Sequence, residues 1–115
     1  MGFLGSGDNE EKHAKAAEEL LIEGEKLQRT FGLMNDFVAL TNKRIIFVDK
    51  TYLSAKKSVV SIPYNNIEEV ILGISGTFSL TNEIGIVTKS HKHVLKFTKT
   101  ADINGFHKSI LAKIC

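Results

Sequence analysis

The hydrophobic positions of this chain recur mainly at every second residue, in short runs separated by polar or glycine-containing turns. This alternation is typical of β-strands, because successive side chains of a strand point to opposite faces of a sheet. Asn42 and Lys43 separate two such runs and predict a tight hairpin. Pro63 lacks an amide N–H, so it ends a strand or lies at a sheet edge. The pattern predicts seven strands, at residues 27–31, 37–41, 44–48, 56–62, 67–75, 78–86 and 93–97.

Helical periodicity replaces this alternation at the C-terminal end of the chain. Thr100 or Asp102 is expected to cap a helix there, since both side chains accept hydrogen bonds from backbone amides. The helix carries one apolar stripe, formed by Ile103, Phe106, Ile110 and Ile114. One amphipathic helix after seven strands is suited to plug the open end of a barrel.

A second helix is predicted near the N-terminus, after a glycine-rich stretch, residues 1–7, that should be loose. Asp8 and Glu11 have the spacing of a capping box, and Gly24 is placed to end the helix after about Ile22. The chain thus divides into residues 1–7, a helical extension at 8–23 and a barrel domain at 24–115.

The third predicted strand is apolar on both faces from Ile45 to Val48. One face must meet the barrel core, and the other must be covered by the N-terminal helix or by another chain. Ile46 and Val48 are therefore candidate interaction residues.

Two segments of the chain resemble the bacterial pleckstrin-homology domain family: LTNKRIIFVDK at residues 40–50 and SIPYNNI at residues 61–67. The leader at residues 22–25 and the terminal helix are also similar to that family. The resemblance implies a strongly bent seven-stranded barrel capped by the last helix and assembly into rings of identical subunits, in a family to which no activity is generally assigned. Related domains that bind phosphoinositides carry basic residues on the first strand and in the loop after it, and here Lys26 and Arg29 lie before that loop. The corresponding loop here, residues 32–36, has no Lys or Arg, which argues against such binding.

Composition narrows the class of protein further. A chain of 115 residues, 43% of them hydrophobic, is expected to form one domain with a single core. Cys115 is the only cysteine, and no secretory leader precedes the first strands, so we expect a reducing, cytoplasmic location. With no Trp and two Tyr, the chain lacks the stacking surface typical of proteins that bind single-stranded nucleic acid.

No motif in the sequence points to catalysis or to a bound cofactor. The nucleophile-elbow and phosphate-loop patterns are absent. His91 and His93 could reach one metal ion from the same strand face, but no carboxylate follows or precedes them closely enough to complete a site. The sequence therefore predicts neither an enzyme nor a metal site.

Charge is distributed unevenly along the chain. The first 25 residues carry a net charge of −5 and the remainder carries +7, which favours contact between the two parts, within one chain or between subunits. The alternative is two solvated surfaces that never meet. The basic candidate surface comprises Lys56, Lys57, Lys89, Lys92, Lys96 and Lys99.

Two functions fit these features. The first is a non-catalytic scaffold or interaction module that assembles with itself into a ring. The alternative is a peripheral module that binds anionic lipid through the lysine-rich strand face. A protein or peptide partner, held between the fifth strand and the last helix, is a further candidate.

Overall fold

The strands of the chain form two antiparallel sheets, as the period-two pattern predicts. The computed structural model describes residues 9–49, 57–75 and 80–115. The predictions for residues 1–7, Asp8, Lys56 and Phe78 fall outside the described residues.

Four strands pair in chain order in the first sheet: β1 (Leu27–Gly32), β2 (Phe37–Thr41), β3 (Arg44–Asp49) and β4 (Ser58–Pro63). The second sheet pairs β5 (Glu69–Ile74), β6 (Leu80–Val87) and β7 (Lys92–Lys96). A 3₁₀ turn, Tyr64–Asn66, precedes the second sheet. Helices α1 (Glu11–Glu18) and α2 (Ile103–Ile114) lie before and after the strands. The architecture is therefore mostly β, with a helix at each end.

The two sheets meet at one corner, where the end of β1 reaches the end of β7. The amide of Thr98 donates to the carbonyl of Gly32 at 3.0 Å, and the amide of Met34 donates to the carbonyl of Lys96 at 2.8 Å. Leu33 and Phe97 form a β-bridge between these bonds. The bent sheets thus enclose one core between their inner faces.

Helix α2 plugs one end of this core, as its apolar stripe predicts. Phe106 and Ile110 are fully buried, and Phe106 packs against the rings of Phe31 and Phe97 at centroid distances of 5.2 and 5.0 Å. The carboxylate of Asp102 accepts a hydrogen bond from the amide of Gly105 at 2.9 Å, so Asp102 is the cap. Neither helix in the described residues is long and apolar enough to span a membrane.

Helix α1 covers the outer face of the first sheet and builds a second, smaller hydrophobic cluster. Ala17 of α1 is fully buried against Phe37, Ala39 and Ile46, which project from β2 and β3 away from the barrel core. The ring of His13 stacks on Phe37 with a centroid distance of 5.1 Å. Of the outward apolar residues of the third strand, Ile46 is therefore covered by the N-terminal helix of its own chain, whereas Val48 lies outside this cluster. Ile46 is completely buried and forms no exposed surface.

The N-terminal helix is shorter than predicted and begins and ends at different residues. It starts after Glu10, which makes no side-chain capping bond, and it ends at Glu18. Leu20 and Leu21 still pack on the second cluster, but they do so from the turn after the helix. Gly24 has a φ of 81° and closes a separate turn, in which the amide of Glu25 donates to the carbonyl of Ile22. The apolar pattern thus identified the residues that pack on the second cluster, but it did not indicate where the helix ends.

One buried ion pair fixes the segment between α1 and β1. The guanidinium of Arg44 donates from Nε and Nη2 to the two carboxylate oxygens of Glu25, each at 2.8 Å. Thr41 Oγ1 donates to the same carboxylate at 2.6 Å, and the amide of Ile22 donates to it at 3.0 Å. Arg44 also donates to the carbonyl of Leu20 at 2.7 Å. The acidic N-terminal part and the basic remainder of the chain are thus in contact within one chain.

We expect Glu25→Gln to lower the free energy of unfolding at pH 7 by about 3 kcal/mol, because it leaves the Arg44 charge without its buried partner. Chemical denaturation of the wild type and the variant measures this difference. Glu23→Gln is the matched control, since Glu23 is exposed and its loss changes the net charge equally. A Glu25→Gln variant as stable as the control would contradict the structural role of the pair.

Acid should remove the same contribution from the wild type. The hydrogen bonds from Arg44, with those from Thr41 and Ile22, lower the pKa of Glu25 from 4.5 to about 2, although burial opposes the shift. Between these values the unfolded state binds more protons than the folded state, so stability falls as the pH drops from 4.5 to 2. The Glu25→Gln variant should lose less stability over this interval.

Candidate interaction face

The outer face of the second sheet is built by three strands in a regular register. Pairing of β5, β6 and β7 aligns Glu69 with Val87 and Lys92 in one row. The next outward-facing row contains Ile71, Gly85 and Val94. A third row contains Glu83 and Lys96. Because alternate residues of a strand share a face, these three rows form one continuous surface.

The middle row of this face is apolar, and its two end residues are exposed while Gly85 between them is buried. Ile71 is 40% exposed and Val94 is 49% exposed, and Ile74 at the end of β5 is 56% exposed. Gly85, between Ile71 and Val94, adds no side chain to the surface. Within the described residues no helix covers this face, whereas α1 covers the corresponding face of the first sheet. The outer face of the second sheet is therefore open to a partner, whereas α1 occupies part of the outer face of the first sheet.

Both charge signs flank the apolar row. Lys92 and Lys96 project outward from β7, as predicted, on either side of Val94. Glu69 lies in the row of Lys92, and Glu83 is directly paired in register with Lys96. Carboxylates from the neighbouring strands therefore interrupt the candidate basic surface. The positions of the lysines in the sequence do not indicate these carboxylates.

The remaining predicted surface residues are spread over the molecule. Lys89 is exposed in the turn between β6 and β7, and Lys99 is exposed beyond the end of β7. Lys57 lies next to β4 and forms an ion pair of 3.6 Å with Asp36. Val48 is half-buried near the end of β3. Of the predicted lysines that the structure describes, only Lys92 and Lys96 share the outward face of one strand.

His93 lies on the opposite, inward face of β7, where the two sheets separate. Its ring is buried and meets Phe47 edge-on at 5.3 Å, and its Nδ1 lies 3.9 Å from a carboxylate oxygen of Asp49. His91 stacks on it at 5.8 Å. Open clefts of about 380 and 420 Å³ adjoin His93 on either side. Among the described residues, no three potential metal ligands come together here or elsewhere.

Sequence reasoning missed the apolar row because it depends on cross-strand register. One signal is present in the sequence: Val94 alternates with Lys92 and Lys96, so it lies on the same outward face of β7 and indicates an exposed apolar residue there. Val70 and Leu72 pack against the core, and simple alternation would place Ile74 there too, but the register between β5 and β6 shifts between Leu72 and Ile74. Alternation is not maintained across such an irregularity, so Ile74 is exposed.

The arrangement of two sheets, one sealed corner and one helix in the open end defines a pleckstrin-homology-like domain. It resembles the crystal structure of a pleckstrin homology domain from Shewanella amazonensis SB2B, with a TM-score of 0.71, 27% identity, and coverage of 90% of this chain and 96% of that one. A DUF1696 family protein with such a domain from Shewanella loihica PV-4 also has a TM-score of 0.71, with 25% identity, and the match covers 96% of this chain and all of that one.

The chain belongs to the bacterial PH domain family, whose sequence model matches residues 1–114. It is 34% identical over 102 residues to the uncharacterized protein YozO of Bacillus subtilis (strain 168), covering 89% of this chain and 90% of YozO. It is 36% identical over 88 residues to the uncharacterized protein YjqA of the same strain, covering 74% and 70%. The family and fold are thus those that the two sequence motifs indicated.

The buried histidine predicts a pH dependence of stability. Burial lowers the pKa of His93 below 6.5, more than Asp49 raises it, and His91 lowers it further. The unfolded state therefore binds more protons just below pH 6.5, and the free energy of unfolding should fall as the pH drops from 7 to 5. Denaturation of wild type and His93→Gln at several pH values measures this slope. The slope should be smaller in the variant, and equal slopes would contradict the prediction.

Proposed function

We propose that this protein is a non-catalytic interaction module that acts by associating with further copies of itself through the outer face of the second sheet. The observation that carries the proposal is the pair of exposed apolar side chains, Ile71 and Val94, that lie on either side of the buried Gly85 in one row. Contiguous apolar surface rimmed by polar residues is typical of protein interaction sites. The chain supplies its own cover for the other outer face through α1 and supplies none here among the described residues.

The charges around the row support a second copy as the partner. Two lysines and two glutamates lie on the same face, so the face has no large excess of either sign. A surface of mixed charge can match another copy of itself, whereas a strongly acidic or basic partner would leave like charges opposed. Ring closure and a cytoplasmic location, which the sequence predicts, are parts of the proposal. A ring is closed by a heterologous contact, so ring closure requires an interface other than a self-complementary pairing of this face.

The second candidate function is binding to an anionic membrane surface. It is supported by the exposed lysines Lys89, Lys92 and Lys96, together with the apolar side chain of Val94. Glu69 and Glu83 on the same face oppose it, because carboxylates are repelled by anionic lipid headgroups. Self-association is therefore the better supported of the two functions.

Native mass spectrometry and light scattering test the leading proposal. A protein concentration of about 50 µM is suitable, because it also detects association with a micromolar dissociation constant. We expect species larger than a monomer for the wild type and a monomer for the double variant Ile71→Ser/Val94→Thr. Val59→Thr is the matched control, since Val59 is 51% exposed on β4 in the other sheet, and it should leave the mass unchanged. A wild type that stays monomeric would refute self-association.

Co-sedimentation with vesicles of phosphatidylcholine and phosphatidylserine tests the second candidate. If the lysine face binds lipid, binding should fall as salt rises from low to physiological concentration, because salt screens the attraction. Lys92→Gln/Lys96→Gln should then bind less than the wild type. The self-association proposal predicts no salt-sensitive binding, and such binding, lost in this variant, would favour the membrane function.

A further inference from the structure

We propose that two copies pair face to face through their second sheets, about a two-fold axis parallel to β6, with Glu69 of each copy opposite Lys92 of the other. This inference rests on the proposed self-association and adds the geometry of the contact. A two-fold contact uses the same patch on both copies, so it requires a patch that is complementary to itself. The rows of the outer face meet this requirement.

The first row supplies the charge complementarity. Glu69 on β5 and Lys92 on β7 lie at the two ends of this row, with Val87 of β6 between them. Rotation about an axis along β6 exchanges β5 with β7 and keeps each row at the same height. Glu69 then faces Lys92 of the second copy, the reverse pair forms symmetrically, and Val87 meets Val87.

The middle row supplies the apolar contact by the same operation. Ile71 faces Val94 of the second copy twice, and Gly85 faces Gly85 at the axis. A methyl group at Gly85 would lie 3.4 Å from Cε of Lys92 and 3.5 Å from Cβ of Ile71, which are ordinary contacts. The packing of the chain itself thus leaves room for alanine, but Gly85 is buried beside the side chains of Ile71 and Lys92, so these side chains form the surface at the axis. Gly73 differs, because there a methyl group would collide with the side chain of Thr81.

The charges select this axis over the perpendicular one. A two-fold axis perpendicular to the strands would exchange the first and third rows within each strand. Lys92 would then face Lys96 of the second copy, and four lysines would gather at one edge of the contact. With the axis along β6, the one like-charge contact within the three rows is between Glu83 of one copy and Glu83 of the other. Each of these carboxylates has Lys96 of its own copy beside it in the same row. The parallel axis therefore brings the fewest like charges together.

A charge exchange tests this geometry. We expect Glu69→Lys and Lys92→Glu each to weaken dimerisation about tenfold or more, because the two-fold axis places every substitution opposite a like charge twice. The double variant Glu69→Lys/Lys92→Glu should return to within about threefold of the wild type, since the pairs are restored with their signs reversed. Analytical ultracentrifugation over a concentration series measures the dissociation constants, and circular dichroism verifies that each variant is folded.

Two neighbouring residues provide matched controls. Glu68→Lys makes the same change of net charge as Glu69→Lys but precedes β5, and Lys99→Glu matches Lys92→Glu but follows β7. Both should dimerise like the wild type. If the wild type associates and the single exchanges have no more effect than these controls, the face is wrong while self-association stands. Single exchanges that weaken association without rescue in the double variant would overturn the axis. A monomeric wild type would refute the proposed function itself.

Discussion

The buried ion pair between Glu25 and Arg44 is the constraint on which the rest of the structure depends. A buried carboxylate is costly unless its charge is paired and its oxygens are hydrogen-bonded, and both conditions hold for Glu25. The partners come from separate parts of the chain: the segment after α1, the β2–β3 hairpin, and β4, where Ser61 accepts from Arg44 Nη1 at 2.7 Å. The pair thereby holds α1 against the first sheet and determines which outer face is covered.

The segments that carry the family resemblance meet around this pair. Thr41 Oγ1 accepts hydrogen bonds from the amides of Lys43 and Arg44, which shapes the hairpin turn. The same hydroxyl donates a hydrogen bond to the carboxylate of Glu25. The hydroxyl of Tyr64, from the second motif, donates to the carbonyl of Thr41 at 2.7 Å. Thr41, Arg44 and Tyr64 are thus explained by the hydrogen bonds that they supply to the polar cluster around Glu25. Family membership, as carried by these motifs, therefore specifies the fold.

The strands and α2 could be predicted from the sequence because their apolar residues recur with one strong period and face one core. The extent of α1 could not, since Leu20 and Leu21 pack from a turn and their spacing alone resembles a helix. The candidate face was only partly predictable. Lys92 and Lys96 follow from alternation along β7, but Ile71, Gly85 and Glu69 join them through pairing with β5 and β6. Register between distant strands is set by the whole sheet, and no local pattern records it.

The unequal cover of the two sheets is the basis on which we propose self-association ahead of membrane binding. A sheet with apolar residues on both faces needs a partner on each, and α1 meets that need for Phe37, Ala39 and Ile46 of the first sheet. The second sheet keeps Ile71 and Val94 exposed, with Lys92 and Glu69 at opposite ends of the adjoining row. Lys92 cannot face both a carboxylate of another copy and a lipid headgroup, so the two functions compete for one surface. Because glutamates lie among its lysines, that surface matches another copy of itself better than it matches an anionic membrane.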